Sequence, residues 1–181
     1  MIKLITPSKE FENQYKEMIK EWQDFGGPFA PCIIEYDCGN RVEELNYDAV
    51  LNVVEDYGKG KLFDYDVNNF ERSDFYFIFN DDELIGMGEL RHNLKENGEK
   101  SIGHINCGVR PNSRRKGYAT RAIECLIEKL KEDNVREVVV CCYADNEVAS
   151  KFLKKLNFEF SNRDFSSVNG KQVLRYTKIL K

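Results

Sequence analysis

The sequence predicts one mixed α/β domain, an α+β arrangement with a largely antiparallel sheet and helices on both of its faces. Three observations predict it. Two apolar runs, residues 74–80 and 84–91, are separated only by Asp81-Asp82, the pattern of a β-hairpin. An apolar run that stops at Pro111 is followed by a basic, glycine-bearing turn and then by a stripe of helical spacing, Ala119, Ala122, Ile123, Leu126, Ile127 and Leu130. Glu137 to Cys142 is then an apolar run short enough for a buried parallel strand, so strand, helix and strand follow one another as a right-handed crossover.

Size and composition fit that class. A chain of 181 residues suits a single domain over residues 1–181 with a real core, whereas two domains would each be cramped. With 41% hydrophobic and 32% charged residues the composition is globular. The formal net charge of -4 argues against general nucleic-acid binding while permitting a local basic patch. No run is long enough for a membrane span, and the apolar stretch at Met1–Ile5 is too short for a secretory signal. A cytoplasmic protein with no membrane partner is therefore expected. Of the six cysteines, Cys107, Cys125, Cys141 and Cys142 lie in expected strands or helices and read as free thiols. Cys32 and Cys38 have no matching Cys or His pair, so no metal site is expected.

In chain order, Lys3 to Thr6 reads as a first strand, and Ser8 as the cap of a helix with Phe11, Tyr15, Met18, Ile19 and Trp22 on one face. Gly26-Gly27-Pro28 ends it. Residues 25–40 read as an apolar loop. A second helix is expected from about Arg41 to Asp56 on the spacing of Val42, Leu45, Val50, Val53 and Val54. The hairpin 74–91 follows, then a polar loop over 92–101 with Asn97-Gly98 as its turn, and a third strand from Ile102 to Arg110. After the crossover, Asp145 or Asn146 caps a helix with Val148, Ala149, Phe152, Leu153 and Leu156 inward, and Asn157 ends it in a left-handed conformation. Phe158–Phe165 and Gln172–Ile179 close the chain as a hairpin.

Chemistry concentrates in residues 102–121. Arg114, Arg115, Lys116 and Gly117 lie between a strand and a helix, and a helix start carries unpaired amide protons and the positive end of a macrodipole. Such a start attracts phosphate. The spacing is neither that of a Walker loop nor that of a dinucleotide fingerprint. Arg114, Gly117 and Ala119 instead resemble the pyrophosphate motif Gln/Arg-x-x-Gly-x-Gly/Ala of the GCN5-related N-acetyltransferase (GNAT) superfamily. Downstream, Asn146-x-x-Ala149 through Leu156-Asn157-Phe158 is similar to that superfamily's Asn-x-x-Ala... Gly-Phe segment. Asn157 stands where glycine is usual, and Leu153 where many members carry a tyrosine. Leu90-Arg91-His92, Gly103-His104-Ile105 and Val109-Arg110-Pro111 look like a bacterial group of predicted acetyltransferases, mostly without assigned acceptors.

The resemblance implies a GNAT-like fold, in which a mostly antiparallel sheet contains a parallel pair splayed to hold acetyl-coenzyme A (acetyl-CoA). It implies that Cys107 and Val109 pair with the pantetheine arm and that Arg114, Arg115, Lys116, Gly117, Tyr118, Ala119 and Thr120 surround the pyrophosphate. Asn146 and Ser150 would touch the pantetheine or nucleotide, and residues 25–40 would wall the acceptor. Direct acyl transfer needs a free amine, a polarised thioester and a proton for the thiolate. Candidates for the base are Glu89, His92 and His104, against the alternative that Glu89 and Arg91, on one strand face, form a structural ion pair. With leucine at 153, the thiolate's proton would come from Tyr143, another tyrosine such as Tyr118, water or the amine itself, and Tyr143, just after the buried strand, is the best placed. The function expected is acetyl transfer to an amine of a small molecule or peptide, by a monomer or homodimer. An acetyl-CoA sensor without turnover and a nucleotide-binding protein are the alternatives.

Overall fold

The computed structural model describes residues 1–26, 30–31, 46–64, 66–166 and 169–180. Cys32, Cys38, most of the 25–40 loop and the start of the expected second helix, with Val42 and Leu45, lie outside the described residues.

Seven strands form two antiparallel sheets. The first has the order β1-β2-β3-β4, from Ile2–Ile5, Arg72–Asn80, Glu83–His92 and Ile105–Val109. The second has the order β5-β7-β6, from Glu137–Tyr143, Gln172–Ile179 and Glu159–Phe165. The helices are α1 (Glu12–Phe25), α2 (Tyr47–Gly58), α3 (Glu96–Ser101), α4 (Tyr118–Glu132) and α5 (Glu147–Lys155).

Strand alternation divides the core between the two faces of the first sheet. On one face Phe75, Phe77 and Phe79 of β2 with Leu84 and Met87 of β3 meet Tyr15, Met18, Ile19 and Trp22 of α1 and Tyr47, Val50 and Tyr57 of α2. Each of these large side chains contributes roughly 1.5–3 kcal/mol by leaving water. On the other face Leu90 and Ile105 meet Ile123, Leu126, Ile127 and Leu130 of α4. That cluster continues into the second sheet through Val138, Val140 and Tyr176 and into α5 through Leu153. The expected stripes of α1 and α4 are largely the buried ones, but Val148, expected inward on α5, is 68% exposed, and Leu153 is the buried residue of that helix.

Local chemistry fixes most element ends. Gly26 caps α1 in the left-handed region at φ 73°, and Asn157 turns the chain after α5 at φ 60°. Asn146 caps α5 by accepting a hydrogen bond from the Ala149 amide.

Four boundaries differ from expectation. Ser8 precedes a short 3-10 turn, Lys9–Phe11, and makes no side-chain cap bond, so α1 begins only at Glu12. The second helix is α2, Tyr47–Gly58, with Asn46 as its cap, accepting from the amides of Asp48 and Ala49. The polar loop at 92–101 holds helix α3, and Gly98 is not a hairpin turn residue: a Cβ there would lie 2.0 Å from the Asn69 carbonyl oxygen. The third strand begins at Ile105 rather than Ile102, because the Ile102 amide still donates to the Gly98 carbonyl and Gly103 has φ 80°.

The two sheets meet at one place. An isolated antiparallel bridge joins Gly103 to Val140, and the His104 amide donates to the Val139 carbonyl at 2.7 Å. Among the described residues β4 otherwise pairs only with β3, and β5 only with β7. The expected parallel pair in one sheet is thus corrected: β4 and β5 are edge strands of two antiparallel sheets, touching at one antiparallel bridge and leaving a gap beyond it.

Candidate active site

The gap has an open strand edge on its β4 side. In the β3–β4 ladder the Arg91 amide donates to the His104 carbonyl and the Arg110 amide to the Ile85 carbonyl, both at 2.8 Å. Antiparallel strands alternate hydrogen-bonded and non-bonded pairs. The register therefore turns the backbone groups of Cys107 and Val109 away from β3 and toward the gap. Arg114 takes the Val109 carbonyl with its Nε at 3.0 Å, while its guanidinium lies 4.8 Å from the centre of the Phe25 ring. Arg114 thus clamps the turn between β4 and α1.

The turn itself faces solvent. Arg114 to Gly117 are exposed and Tyr118 to Thr120 half-buried. Arg115 has φ 63° and Gly117, the residue capping α4, has φ 82°. A Cβ at Gly117 would meet nothing within 4 Å, so glycine is needed here for its backbone angle rather than for space. The first backbone bond of α4 is the Arg121 amide to the Gly117 carbonyl. Amides from about Arg115 to Thr120 thus have no backbone acceptor among the described residues. Arg110 fixes the turn's other end: it ion-pairs with Glu21 of α1 at 2.5 Å, and Glu21 also accepts the Asn112 amide at 2.7 Å.

Two expected catalytic side chains are committed elsewhere. Glu89 is 2% exposed, and its two oxygens accept from Arg91 Nε at 3.0 Å and Nη2 at 2.5 Å. Burial pushes its carboxyl up, against the pull of the Arg91 guanidinium, and the nearby Asp66 adds to the rise. Glu89 thus makes the buried ion pair with Arg91 that stood as the alternative to its role as a base. His104 is 8% exposed, and its Nδ1 accepts the Val139 amide at 3.0 Å. Burial pulls its pKa down to about 4. The Nδ1 lone pair is thus engaged by the fold rather than open to a substrate.

The remaining histidine, His92, places Nε2 2.9 Å from Asp74 and Nδ1 2.9 Å from Asp133, tying β2 and β3 to the end of α4. Its hydrogen bond holds the Asp74 carboxyl below its usual range.

The other assignments lie along the gap or beside it. Tyr143, at the end of β5, is 38% exposed, and its hydroxyl accepts from Asn169 Nδ2 at 2.7 Å. Asn146 spends its Oδ1 on the α5 cap, and Ser150 Oγ lies 2.6 Å from the hydroxyl of Tyr176. Cys107 packs among the core residues on the α4 side, and burial pushes its thiol up to about 12, which removes it as a nucleophile. Ala30, in the described part of the 25–40 loop, packs with Trp22 over Gly108 of β4.

Sequence reasoning did not find Asn106, which pairs across the ladder with Glu89, nor the Glu21 contact to the turn. Asn106 shares strand alternation with Gly108, and only the assigned strand register shows which face it is on. Glu21 is 91 positions from Asn112, and no local pattern links them.

An open strand edge beside a helix start with uncommitted amides is a setting suited to an extended, phosphate-bearing ligand. The chain belongs to the acetyltransferase (GNAT) family, whose profile matches residues 39–158, and it is an acetyl-CoA-dependent acyltransferase. Solved structures agree in fold. The microcin C7 self-immunity acetyltransferase MccE, in complex with acetyl-CoA and AMP, is 16% identical with a TM-score of 0.64, over 99% of this chain and 92% of that one. The ribosomal L7/L12 α-N-protein acetyltransferase RimL, in complex with coenzyme A, is 12% identical with a TM-score of 0.65, over 99% and 94%. A Salmonella typhimurium acetyltransferase that modifies the N-terminal serine of L7/L12 is 15% identical with a TM-score of 0.66, over 99% and 95%. No curated protein matches the chain by sequence. Among the described residues no helix is long and apolar enough to cross a membrane.

Proposed function

We propose that the chain transfers the acetyl group of acetyl-CoA to a primary amine of a small molecule or peptide by direct attack. The observation that carries this reading is the exposed turn at 115–117, which leads into α4 beside an open strand edge with the amides up to Thr120 lacking a backbone acceptor among the described residues. In this reading the amides of Arg115 to Thr120 hold the pyrophosphate, with Arg115 and Lys116 adding charge. The outward backbone groups of Cys107 and Val109 pair with the pantetheine arm as an added strand would. Asn146 and Ser150 flank it from α5.

No enzyme nucleophile is needed, in keeping with the raised Cys107 thiol. With Glu89 and His104 committed inside the protein, the amine enters as its free base and releases its proton to solvent after attack. Tyr143 supplies the thiolate's proton: its oxygen accepts from Asn169, which leaves the O–H to donate. An amine acceptor is supported by the two L7/L12 N-terminal acetyltransferases of like fold. The packing of Ala30 over Gly108 supports a reading in which the 25–40 loop walls the acceptor on that side of β4.

The test is thiol release from acetyl-CoA across a panel of polyamines, aminoglycosides and peptides with free N-termini. Turnover with one class and a bell-shaped pH profile support direct transfer to that class. Binding of acetyl-CoA with no thiol release on any amine contradicts it.

A further inference from the structure

The place where the two sheets touch is built from a side chain. Val139, 3% exposed, must satisfy both its backbone groups. Its carbonyl accepts the His104 amide at 2.7 Å, as a strand neighbour's would. Its amide, however, donates to Nδ1 of the His104 ring at 3.0 Å, and not to a backbone carbonyl. The backbone of His104 is unavailable for that second bond, because its carbonyl is taken by the Arg91 amide of β3 at 2.8 Å. Ile102, just before it, is still held in the turn after α3 by its bond to Gly98.

Gly103 makes the contact possible. It sits at φ 80°, and a Cβ there would lie 2.7 Å from the Val139 carbonyl oxygen and 2.9 Å from the Val140 Cα. Arg91 Nη1 donates to the Gly103 carbonyl at 3.2 Å, so the Glu89–Arg91 pair braces the same point from the β3 side.

We infer that His104 is a positioning residue whose neutral imidazole takes the place of a strand carbonyl, joining β4 to β5 at one point so that the strands part beyond it. This inference rests on the reading that acetyl-CoA occupies the gap. With a backbone acceptor there, the ladder would have a start from which to continue, and the edge presented by Cys107 and Val109 would close. With no acceptor, the Val139 amide would be buried without a partner, and the apex would shift. The bond requires the proton on Nε2 and none on Nδ1. The charged groups that act on the ring are Arg91 and His92 from β3 and Arg175 from β7, all of which oppose a second proton. No carboxylate is among them to favour it.

The experiment compares the full chain with His104→Asn, whose Oδ1 can stand where Nδ1 stood, and His104→Leu, which has no acceptor. Acetyl-CoA affinity is measured by calorimetry between pH 5 and 8, and the imidazole nitrogens by ¹⁵N resonance. Only two histidines are present, so the two rings are readily told apart. Expected are an unprotonated Nδ1 on His104 across that range and an acetyl-CoA Kd within about threefold of wild type for His104→Asn. A Kd raised about tenfold is expected for His104→Leu. An Nδ1-protonated His104, a His104→Leu protein that binds as tightly as wild type, or a folded His104→Asn that binds as weakly as His104→Leu would each overturn it. Should His104→Leu fail to fold, the ¹⁵N state and the Asn variant decide. Loss of acetyl-CoA binding by the wild-type chain would instead strike the function assigned to the gap, and leaves the ¹⁵N result to judge the imidazole bond alone.

Discussion

The turn at 114–120 and the buried group Glu89–Arg91–Gly103–His104 use similar residues to opposite ends. Both hold cations and a glycine at positive φ, Gly117 at 82° and Gly103 at 80°. In the turn, Arg115, Lys116 and Gly117 are exposed, the backbone amides are uncommitted, and a side chain at Gly117 would touch nothing. In the buried group the Glu89 carboxylate, the Arg91 guanidinium, the Gly103 carbonyl and the His104 Nδ1 are all spent on other parts of the fold, and a side chain at Gly103 would strike β5. Residue type did not decide which group keeps hydrogen-bonding atoms free and which holds the sheets. Burial decided it, by determining whether hydrogen-bonding groups are left over.

The largest effect that sharpens this contrast is on stability. Glu89→Gln or Arg91→Met leaves one buried charge without its partner, and denaturant unfolding should show a loss of about 3–5 kcal/mol. The folded fraction of Glu89→Gln should keep its turnover rate within a few-fold. A loss of 10²–10⁴-fold in rate with stability intact would make Glu89 the general base after all.

Next comes pH. His104 is held neutral in the fold with a pKa of about 4, whereas an unfolded histidine titrates near 6.5. The unfolded chain therefore binds more protons between those values, and stability should fall as pH drops from about 6.5 to 4. His104 contributes at most about 3 kcal/mol to that fall. Unfolding free energies from pH 7 to 4 measure it, and His104→Asn should flatten the slope by up to one proton. Asp74, held low by His92, adds its loss only below its unfolded pKa of about 4. An unchanged slope in His104→Asn would break the assignment.

The smallest expected effects belong to the turn's side chains. Arg115→Ala and Lys116→Ala should each weaken acetyl-CoA by roughly threefold to fivefold at low salt and by less at high salt, because exposed charges are screened. They should leave the unfolding midpoint nearly unchanged. A change in affinity that ignores ionic strength would mean these side chains do more than add field.

The same contrast explains what was legible in the sequence. Helical stripes, the hairpin at Asp81-Asp82, the Asn146 cap and the Asn157 turn are local patterns, and each appears at or near its expected place. The turn was legible for the same reason, since its chemistry lies in consecutive backbone amides. Gly98 was misread because Asn-Gly marks a turn by local preference, while its small size here serves a contact with Asn69, 29 positions away. His104 was offered as a base on its residue type and strand position, while the partner that occupies its lone pair is a backbone amide 35 positions away. The pairing of Glu89 with Arg91 was open to strand alternation, but its burial depended on α1, α2 and the turn before β2 closing over that face.

The measurement that tests the central claim most directly is the acetyl-CoA-induced shift in melting temperature for the wild-type chain against Gly117→Glu and Gly117→Ala. Alanine strains φ 82° by about 1–2 kcal/mol but adds no charge, so its melting temperature should drop while a ligand-induced rise persists. Glutamate adds a carboxylate where the amides converge, and the rise should vanish while the unliganded protein melts close to the alanine variant. A rise of wild-type size in Gly117→Glu would show that the phosphate of acetyl-CoA does not sit at this turn.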